Sequence, residues 1–383
     1  MKVLQLGRYF PPHVGGIETV IFEIVEGLNK RGIRCDVLCS NQAKRLEVDK
    51  YNDYTVIRTA SFGQVLSTSI SPTIITHLIR IIDQYDIIHL HHPDPMATIA
   101  LILARKKGKK IVVHWHSDII RQRFALIFYK VLQNCILKRA DAIVVTSKNY
   151  LAGSTHLRKF AHKVSAVPIG IQTTLEVDEK KLECLKERFK NKTVIFSLGR
   201  HVYYKGFRYL VQSGIYLPDN YVIVIGGNGP RHAELVELVE RHNLHNKVIF
   251  TDRIPQNEIG SYFKACDIFC LPSIERTEAF GVVLLEAMFF GKPLVTTDIP
   301  GSGVSFVNER NKTGLIVPLR DGKALADAIL TIAQDKMLYD RLSINSRERF
   351  YALFTRDKML DQLISLYHKL LAASTTTPAT KSN

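Results

Sequence analysis

The stretch Thr193-Val-Ile-Phe-Ser-Leu-Gly-Arg-His-Val-Tyr-Tyr-Lys-Gly206 runs from an apolar, β-branched segment straight into a loop with two glycines and two cations. An apolar run of this length, bounded by glycine, predicts a buried strand, and the residues after Gly206 have the pattern of a helix. The same alternation of a short Val/Ile-rich strand and an amphipathic helix recurs on both sides of this stretch. It predicts an α/β fold with parallel, doubly wound sheets.

The predicted strands fall into two series. The first lies near residues 2–6, 34–39, 54–58, 86–90, 111–115 and 142–146, and the second near 193–198, 221–225, 248–250, 268–271, 294–296 and 314–317. A chain of 383 residues also exceeds one ordinary domain. We therefore expect two Rossmann-like domains that face a central cleft, where the ligands of open α/β sheets bind.

Shifts in composition give the expected domain boundaries. We predict an N-terminal, acceptor-binding domain over 1–172, a polar and charged linker over 173–190, and a C-terminal, donor-binding domain over 191–350. A C-terminal helix over 351–371 is expected to pack back on the first domain. Residues 372–383 are predicted to form a disordered tail, because they offer few apolar side chains to bury.

Composition excludes several classes of protein. Hydrophobic residues make up 46% of the chain and charged residues 23%, as in globular proteins with a large core. The six cysteines have neither the spacing of a zinc cluster nor that of a redox pair. No apolar run reaches the roughly 18 residues that a membrane span needs. We also expect no signal peptide, because the first residues lead directly into a strand.

The formal net charge of +16 is concentrated in the first half of the chain. Residues 1–171 hold 24 Lys and Arg against 12 Asp and Glu. A cationic domain suits nucleic acid, anionic lipid or a phosphorylated substrate. Since the sequence has no helix-turn-helix, RNP or zinc-finger pattern, nucleic acid is the weakest of these three partners.

A glycine turn follows the first predicted strand, in Phe10-Pro-Pro-His-Val-Gly-Gly-Ile-Glu18. Gly15 and Gly16 would let the backbone approach a ligand closely, and the helix behind them aims free N–H groups outward. The pattern differs from the Gly-x-Gly-x-x-Gly fingerprint of nicotinamide binding. From these residues alone, a tight strand-to-helix turn and an anion site are equally good interpretations.

Two cations and a further glycine turn follow strands of the predicted second domain. Arg200 and Lys205 share one loop, and fixed cations in a loop with glycines suit a pyrophosphate. A solvated basic loop is the alternative. Gly227 lies in the turn Gly226-Gly-Asn-Gly-Pro230, which follows the next strand and is a weak signal by itself.

Two glutamates bracket an apolar segment in Glu278-Ala-Phe-Gly-Val-Val-Leu-Leu-Glu286. We predict a short buried helix from Val282, closed by Gly291, with Glu278 in the loop at its N-terminus and Glu286 inside it. A carboxylate buried among apolar residues costs several kcal/mol unless it has a partner. An exposed Glu278 and a Glu286 paired with an arginine would satisfy the same pattern.

Histidines end two strands of the predicted first domain. His116 stands in Val113-His-Trp-His-Ser-Asp118, where it could touch a substrate, although a lone histidine is more often structural. His89, His91 and His92 resemble metal ligands, but alternation along a strand divides them between two faces. We favour a structural or acceptor-binding role for them over a metal site.

Together these motifs resemble a known family. The order of a Gly-Gly turn, an Arg with a nearby Lys, and a Glu-x7-Glu motif is that of the retaining glycosyltransferases of family GT4, which have the GT-B fold. The resemblance covers essentially the whole chain. Three phrases are further similar to bacterial mannosyl- and rhamnosyltransferases that build O-antigen or capsule: Arg200-His-Val-Tyr-Tyr-Lys-Gly206, Pro272-Ser-Ile-Glu-Arg-Thr-Glu-Ala-Phe-Gly281 and Asp298-Ile-Pro-Gly-Ser-Gly-Val304.

The resemblance implies a role for each motif. Glu286 would bind the donor ribose, and Glu278 would face the hydroxyls of the donor sugar. Arg200 and Lys205 would stabilise the leaving diphosphate, because preorganised cations lower a barrier at which negative charge accumulates. His116 would correspond to the family's acceptor-domain histidine near the sugar. The catalytic set would be Arg200, Lys205, Glu278 and His116, with further donor contacts at Gly15, Gly16, Gly227, Ala279, Phe280, Gly281 and Val282.

The resemblance also implies the course of the reaction. Such enzymes transfer the sugar with retention and without a divalent metal, and the sequence has no Asp-x-Asp to hold one. No covalent nucleophile is apparent. We expect front-face attack in which the leaving phosphate accepts the acceptor's proton, with no cofactor besides the nucleotide-sugar substrate.

A basic surface is predicted on the first domain. Residues 119–139 mix aromatic and aliphatic side chains with basic ones, and 105–110 read Arg-Lys-Lys-Gly-Lys-Lys. This combination suits anionic lipid, each basic residue contributing on the order of 1 kcal/mol. A core helix with a solvated basic face is the alternative, and it fits 119–139 better. The expected membrane or acceptor surface comprises Lys106, Lys107, Lys109, Lys110, Arg121 and Arg123.

The resulting hypothesis is a peripheral protein at the cytoplasmic face of the plasma membrane. It would move a hexose, most simply α-mannose from GDP-mannose, to a polyprenyl-diphosphate-linked saccharide, and other polysaccharide-assembly enzymes could be its partners. A UDP-sugar or dTDP-rhamnose donor is the alternative within this class. From other classes, a non-catalytic nucleotide-sugar or nucleic-acid binding protein and a UDP-sugar epimerase stay open.

Overall fold

The computed structural model describes residues 1–13, 15–51, 53–65, 68–104, 108–118 and 123–375, apart from the side chains of 123–128 and of 374–375. The chain divides into two compact units. The first unit comprises Met1–Gly170 and Arg356–Asn383, and the second comprises Ile171–Thr355. Each unit has the α/β fold that the sequence predicts.

The first unit is built on an eight-stranded sheet and a small hairpin. Its strands are β1 (Lys2–Gly7), β2 (Arg34–Ser40), β3 (Glu47–Lys50), β4 (Thr55–Thr59), β5 (Gln64–Val65), β6 (Thr68–Ser69), β7 (Ile87–His92), β8 (Lys110–Trp115), β9 (Ala142–Val145) and β10 (Val164–Ala166). The sheet order is β10-β9-β8-β7-β1-β2-β4-β3, and β5 pairs with β6. Neighbouring strands of the sheet run parallel except β3, which is antiparallel to β4.

Helices cover this sheet and connect its strands. They are α1 (Gly16–Lys30), α2 (Thr73–Ile81), α3 (Pro95–Leu103), α4 (Arg123–Arg139) and α5 (Lys148–Gly153). The central strand β7 is buried over its whole length, including three histidines. Because parallel strands end at one edge of a sheet, the segments that follow β1, β7 and β8 lie at the same edge, where ligands of this architecture bind.

The second unit has a six-stranded sheet in which all strands are parallel. Its elements are α6 (Glu179–Arg188), β11 (Thr193–Leu198), α7 (Phe207–Ser213), β12 (Tyr221–Gly226), α8 (His232–Arg241), β13 (Val248–Phe250), α9 (Gln256–Ala265), β14 (Ile268–Leu271), α10 (Val282–Phe289), β15 (Leu294–Thr297), α11 (Val304–Val307), β16 (Gly314–Val317), α12 (Gly322–Gln334) and α13 (Lys336–Leu353). The sheet order is β13-β12-β11-β14-β15-β16. All six predicted strands of the second series are confirmed.

The core of the second unit forms from the apolar strand residues and one face of each covering helix. Ile195, Ile223 and Ile225 of the central strands are buried together with Leu325 and Ile329 of α12. From β11 the chain adds β12 and β13 on one side of the sheet, and from β14 it adds β15 and β16 on the other side. The strand order therefore reverses between β11 and β14, in the middle of the sheet. Such a switch point is where an open parallel sheet binds ligands at the carboxyl ends of its strands.

The predicted linker over 173–190 is wrong, because this segment belongs to the second unit and contains α6. Leu182 and Leu185 are buried, which anchors an otherwise charged helix. Asp178 caps α6, and its carbonyl accepts a hydrogen bond from Ser261 Oγ at 2.8 Å. Lys181 Nζ lies 2.8 Å from Glu258 Oε2 on α9. The polar composition therefore reflects a helix with a solvated face.

The last helix of the chain, α14 (Arg356–Thr375), belongs to the first unit. Leu360 packs against α1 so closely that a Cβ on Gly27 would lie 2.2 Å from Leu360 Cδ1. The helix starts later than the predicted 351, because α13 extends to Leu353. It also continues through 372–375, which corrects the predicted start of a disordered tail. The rest of that tail, 376–383, lies outside the described residues.

Sequence patterns missed β3, β5, β6 and β10 among the strands and α5, α6, α11 and α13 among the helices. Most of these elements are four residues or shorter, too short for a periodic pattern to emerge. Among the described helices, none combines the length and the apolar character needed to cross a membrane.

Candidate active site

Lys205 and Glu278 form an ion pair in the second unit. Lys205 Nζ lies 2.7 Å from Glu278 Oε2, and the two side chains are only 12% and 11% exposed. Ser273 Oγ donates a hydrogen bond to the same carboxylate oxygen at 2.9 Å. Burial works to lower the pKa of Lys205, but the charge of Glu278 outweighs it and leaves the pKa above its ordinary value. The lysine therefore stays charged at the end of the sheet.

The pair forms because two neighbouring strands, β11 and β14, end side by side. After β11, a 3-10 turn over Tyr203–Lys205 ends at Gly206, whose φ of 66° favours glycine. A Cβ on Gly206 would lie 2.0 Å from the carbonyl oxygen of Pro272, which follows β14. The N–H of Ile274 donates to the carbonyl of Tyr204 at 2.8 Å. The two post-strand loops are thus in backbone contact, which fixes Lys205 beside Glu278.

The segment after β15 donates hydrogen bonds to the loop from Glu278 to Gly281. Ser302 Oγ donates to the carbonyl of Glu278, and the N–H of Gly303 donates to the carbonyl of Ala279 at 2.7 Å. Phe280 is buried and anchors the loop in the core. The predicted position of Glu278, in the loop before a short helix, is confirmed.

The N-terminus of α10 faces this loop. The helix starts at Val282 after Gly281, and in the described part of the chain no side chain caps it. The first N–H groups of a helix lack intrahelical partners and carry the positive end of the helix dipole. An uncapped N-terminus that follows Glu278 by four residues is suited to an anionic group.

Glu286 lies in the second turn of α10, as the sequence predicts. Its neighbours Leu285 and Ala287 are fully buried, whereas Glu286 is half-buried. The carboxylate therefore lies at the boundary between the core and the surface of the unit. From this position it can bind a polar ligand without the full cost of burying a charge.

The loop after β11 is bound to the glycine turn after β12. The N–H of Gly199 donates to Gly226, and the N–H of His201 donates to Asn228, both at 3.0 Å. The turn approaches so closely that a Cβ on Gly227 would lie 2.2 Å from the carbonyl oxygen of Gly199. In the sequence these two loops are separate motifs, and in the structure they are in contact.

Arg200 is the exposed cation of this loop. In the ranges that the structure describes, no hydrogen bond or ion pair engages its guanidinium. A Cβ on Gly199 would lie 3.3 Å from Lys205 Cε, so the stem of Lys205 runs back along the start of the loop. One strand end therefore supplies two cations, of which one is paired in the interior and one is free at the surface.

In the first unit, the Gly15-Gly16 turn opens α1. Gly15 is the N-cap residue, and no side chain of the described residues caps the helix there. Glu18 lies beneath the turn, buried, with its Oε1 3.8 Å from Arg8 Nη2. A Cβ on Gly16 would meet no atom of the described residues within 4 Å, and Gly16 is exposed. The turn therefore has the accessible backbone that a ligand contact requires, and the Arg8–Glu18 contact was not predicted.

Asp94, which the sequence analysis did not single out, caps α3 at the same edge of the first sheet. Its Oδ1 accepts a hydrogen bond from the N–H of Ala97 at 3.1 Å, and the side chain is buried. Burial raises the pKa of Asp94 to about 6, although the hydrogen bond from Ala97 and the charge of Arg8 act to lower it. The one available signal was the Asp94-Pro95 pair, because proline is common at the first position of a helix.

His116 follows β8 and is 5% exposed. Its Nε2 lies 2.8 Å from His91 Nδ1, and His91 Nε2 lies 2.7 Å from Gln5 Oε1. Burial, and then neighbouring histidines, hold the pKa of both His91 and His116 well below the ordinary value. Both rings are therefore neutral. His92 points to the other face of the sheet, where it stacks on Trp115 at 3.9 Å.

Within the described ranges, one group of side chains approaches the geometry of a metal site. The candidate ligand nitrogens of His91, His114 and His116 all lie within 4.8 Å of one another. However, the rings stack within 27° of parallel instead of converging on a common centre. Two of the nitrogens are already engaged in the His91–His116 hydrogen bond. The arrangement fits a hydrogen-bonded stack better than a metal site.

The predicted basic surface is described only in part. Lys106, Lys107, Arg121 and the side chain of Arg123 lie outside the described residues. Lys109 Nζ donates to the carbonyl of Asp83 at 2.9 Å. Lys110 is 17% exposed, and its Nζ lies 3.7 Å from Asp141 Oδ1. Lys109 and Lys110 thus each have a partner within their own unit, and their place on the predicted surface stays a prediction.

Comparison with known proteins gives consistent matches over both units. A family model described as Glycosyltransferase Family 4 matches residues 14–175, and one described as Glycosyl transferases group 1 matches residues 180–349. The O-antigen chain mannosyltransferase C of Escherichia coli is 33% identical over 373 residues, which cover 97% of this chain and 99% of that protein. A D-rhamnosyltransferase of Pseudomonas aeruginosa is 30% identical over 358 residues, with 93% and 92% covered.

Solved structures show the same fold. The sucrose-phosphate synthase of Thermosynechococcus elongatus superposes with a TM-score of 0.81 at 23% identity, covering 97% of this chain and 99% of that one. The Anabaena protein HepE, in complex with UDP and glucose, gives a TM-score of 0.78 at 19% identity, with 96% and 99% covered. At these identities the likeness concerns the fold.

The contact at Gly206 predicts a specific loss of stability. Gly206→Ala should lower the free energy of unfolding by about 1–3 kcal/mol, because the residue has a positive φ and its new Cβ would meet a backbone carbonyl. Gly199→Ala, in the same loop, is the matched control, since its Cβ would meet only the flexible end of Lys205. Urea denaturation followed by circular dichroism measures both. Equal stability of the two variants would contradict the assigned contact between the loops.

The Lys205–Glu278 pair predicts non-additive effects on stability. Lys205→Met and Glu278→Gln should each destabilise the protein, by about 3 kcal/mol for Lys205→Met, because each leaves the remaining charge without its counter-charge in a nearly buried position. The double variant should lose less than the sum of the two single losses. A double-mutant cycle from urea denaturation gives the coupling energy. Strict additivity would show that the two side chains do not interact in solution.

Proposed function

The chain belongs to glycosyltransferase family 4 and has the GT-B fold, and from that premise we propose that it transfers a hexose from a nucleotide sugar, with retention of configuration, to a lipid-linked saccharide. That it is a glycosyltransferase follows from the family. The main support for the proposed donor site is the Lys205–Glu278 pair next to the uncapped N-terminus of α10. Cations, free N–H groups and a carboxylate at one switch point match the parts of a sugar nucleotide.

The diphosphate of the donor would be held by the second unit. Arg200 is exposed and unpaired among the described residues. Lys205 has three N–H donors, and its contact with Glu278 does not use all of them. As the bond between the sugar C1 and the diphosphate oxygen breaks, negative charge grows on the leaving group. Preorganised cations and helix N–H groups stabilise that charge without having to rearrange.

Glu278 and Glu286 would bind hydroxyl groups of the donor. Ser273 and Lys205 hold one oxygen of Glu278, so its other oxygen is left to accept from a sugar hydroxyl. Glu286, half-buried on the second turn of α10, would accept from the ribose. Neither carboxylate then acts as a general base. The proton of the acceptor hydroxyl would pass to the leaving phosphate as the new C1–O bond forms on the same face.

The first unit would contribute His116 toward the transferred sugar, and the amides of Gly15 and Gly16 toward the diphosphate. Support comes from the exposure of Gly16 and from the position of His116 at the carboxyl edge of its sheet. The residues offer cations in place of a metal, and we propose that the reaction needs no divalent ion and no cofactor.

We propose mannose as the sugar, carried as GDP-mannose, and a polyprenyl-diphosphate-linked saccharide of O-antigen or capsule as the acceptor. The support is the similarity to an O-antigen chain mannosyltransferase of Escherichia coli. The similarity to a D-rhamnosyltransferase supports a deoxyhexose donor as the second candidate. A lipid-linked acceptor would place the protein at the cytoplasmic face of the membrane as a peripheral protein.

Nucleotide binding tests the donor site. GDP at 100 times its Kd should stabilise the protein by about 2.7 kcal/mol, and UDP and dTDP should stabilise it less. A thermal-shift titration in the presence of EDTA measures this. Lys205→Met and Glu286→Ala should each reduce the shift, whereas the control Lys323→Met, at an exposed pair on α12, should keep it. A shift with UDP alone would overturn the guanine assignment, and no shift with any nucleotide would overturn the donor site.

Vesicle sedimentation tests the membrane surface. Neutralising Lys106 and Lys107 should weaken binding to anionic vesicles about fivefold per residue, which corresponds to about 1 kcal/mol each. Lys323→Gln with Lys336→Gln removes the same charge from exposed helix surfaces of the second unit and serves as the control. If both double variants bind equally well, the predicted surface has no specific role in membrane contact.

A further inference from the structure

A chain of polar side chains crosses the core of the first unit and ends at His116. It includes Gln5 on β1, His91 on β7 and Tyr367 on α14, and none of these three is more than 1% exposed. A buried polar group costs free energy unless it is hydrogen-bonded, so each contact in such a chain constrains the next. The chain therefore determines how His116 can be protonated.

The direction of the hydrogen bonds follows from the chemistry of Gln5. Its Oε1 can only accept, so His91 Nε2, at 2.7 Å, must carry the proton. His91 Nδ1 then has a lone pair, and it accepts from His116 Nε2 at 2.8 Å. His116 therefore carries its proton on Nε2, and its lone pair is on Nδ1.

The far end of the chain fixes the orientation of the Gln5 amide. The NH2 group of Gln5 lies 3.5 Å from Cys35 Sγ, and Gln5 works to lower the pKa of the neighbouring Tyr367 hydroxyl. That hydroxyl lies 2.5 Å from His89 Nδ1, to which it can donate. With its NH2 group on this side, Gln5 presents its oxygen to His91. A residue of the last helix thereby lies in the same buried polar cluster as the amide of the first strand.

The remaining nitrogen of His116 faces outward. Nδ1 is not among the fully buried unpartnered atoms, and in the described part of the chain it has no hydrogen bond. By contrast, both nitrogens of the neighbouring His114 are fully buried and unpartnered in that same part. His116 is thus the ring of the stack that can act on a ligand, and Nδ1 is the atom it can use.

We propose that Gln5, His91 and Tyr367 are positioning residues that fix His116 as its Nε2–H tautomer, so that Nδ1 accepts a hydrogen bond from a hydroxyl of the transferred sugar. This inference rests on the proposed function, in which His116 contacts that sugar. It also deepens it, because a nitrogen that can only accept requires a hydroxyl at the matching position. A sugar that is deoxygenated there leaves the lone pair unpaired and is disfavoured.

The tautomer of His116 can be read directly. Nitrogen-15 NMR of histidine-labelled protein distinguishes a protonated Nε2 from a protonated Nδ1, and we expect Nε2–H for His116 in the wild type. Gln5→Met removes the acceptor at nearly the same volume and should shift the ring toward a mixture of tautomers. Gln5→Glu restores an oxygen at this position and should restore the wild-type tautomer. His114→Phe keeps a stacked ring, breaks no described hydrogen bond, and should leave the tautomer unchanged.

Kinetics supply the second readout. With a nucleotide sugar and a lipid-linked acceptor, Gln5→Met should lower kcat/KM about tenfold or more, by analogy with the loss of an outer hydrogen-bond partner of a metal-binding histidine. Gln5→Glu should recover most of that loss, and His114→Phe should stay near wild type. Circular dichroism melts confirm that each variant is folded.

Four results would overturn the proposal. The first is a wild-type His116 with its proton on Nδ1 or on both nitrogens. The second is a Gln5→Met variant with unchanged tautomer and unchanged kinetics. The third is stoichiometric Zn²⁺ binding that shifts the signals of His91, His114 and His116 together, which would make the stack a metal site. If His116→Ala transfers normally while the wild-type tautomer is as predicted, the sugar contact fails and the positioning role with it, whereas the donor site of the second unit still stands.

Discussion

The ion pair between Lys205 and Glu278 is the constraint on which the second unit's candidate site depends. Two charges can lie this deep only when their geometry is good and their remaining polar atoms have partners. Here contacts to the backbone fix the geometry. Gly206 lets the loop after β11 pass close to Pro272, and Ser302 and Gly303 donate hydrogen bonds to the loop that carries Glu278. The backbone contacts and the burial that maintain the pair also place a cation, a carboxylate and a helix N-terminus at one edge of the second sheet.

The first unit also buries polar side chains, but these side chains carry no charge. Its central strand carries three buried histidines, and the stack is kept neutral by burial. Neutral imidazoles can share hydrogen bonds along a chain, because each ring has one donor and one acceptor. The chain from Tyr367 to His116 therefore couples the C-terminal helix to the edge of the sheet where ligands bind. The second unit thus presents cations at the carboxyl edge of its sheet, and the first presents neutral imidazoles at the carboxyl edge of its own.

Much of this could be predicted from the sequence, since strand–helix alternation and glycine turns are local signals. The positions of Glu278, Lys205 and His116 after strands followed from the same alternation. Contacts between distant segments could not be predicted: Lys205 on Glu278 and Gln5 against His91 each depend on which strands become neighbours. The linker failed for a similar reason, because the burial of Leu182 and Leu185 against α9 decides that 173–190 is part of a domain.

The most direct test of the account is a crystal structure of the protein with bound GDP. The account predicts a phosphate oxygen within hydrogen-bonding distance of Lys205 Nζ and of the Arg200 guanidinium, and the ribose hydroxyls on Glu286, with Glu278 still held by Ser273. GDP bound at another edge of the sheet, or a diphosphate held by a divalent metal and not by these side chains, would contradict it.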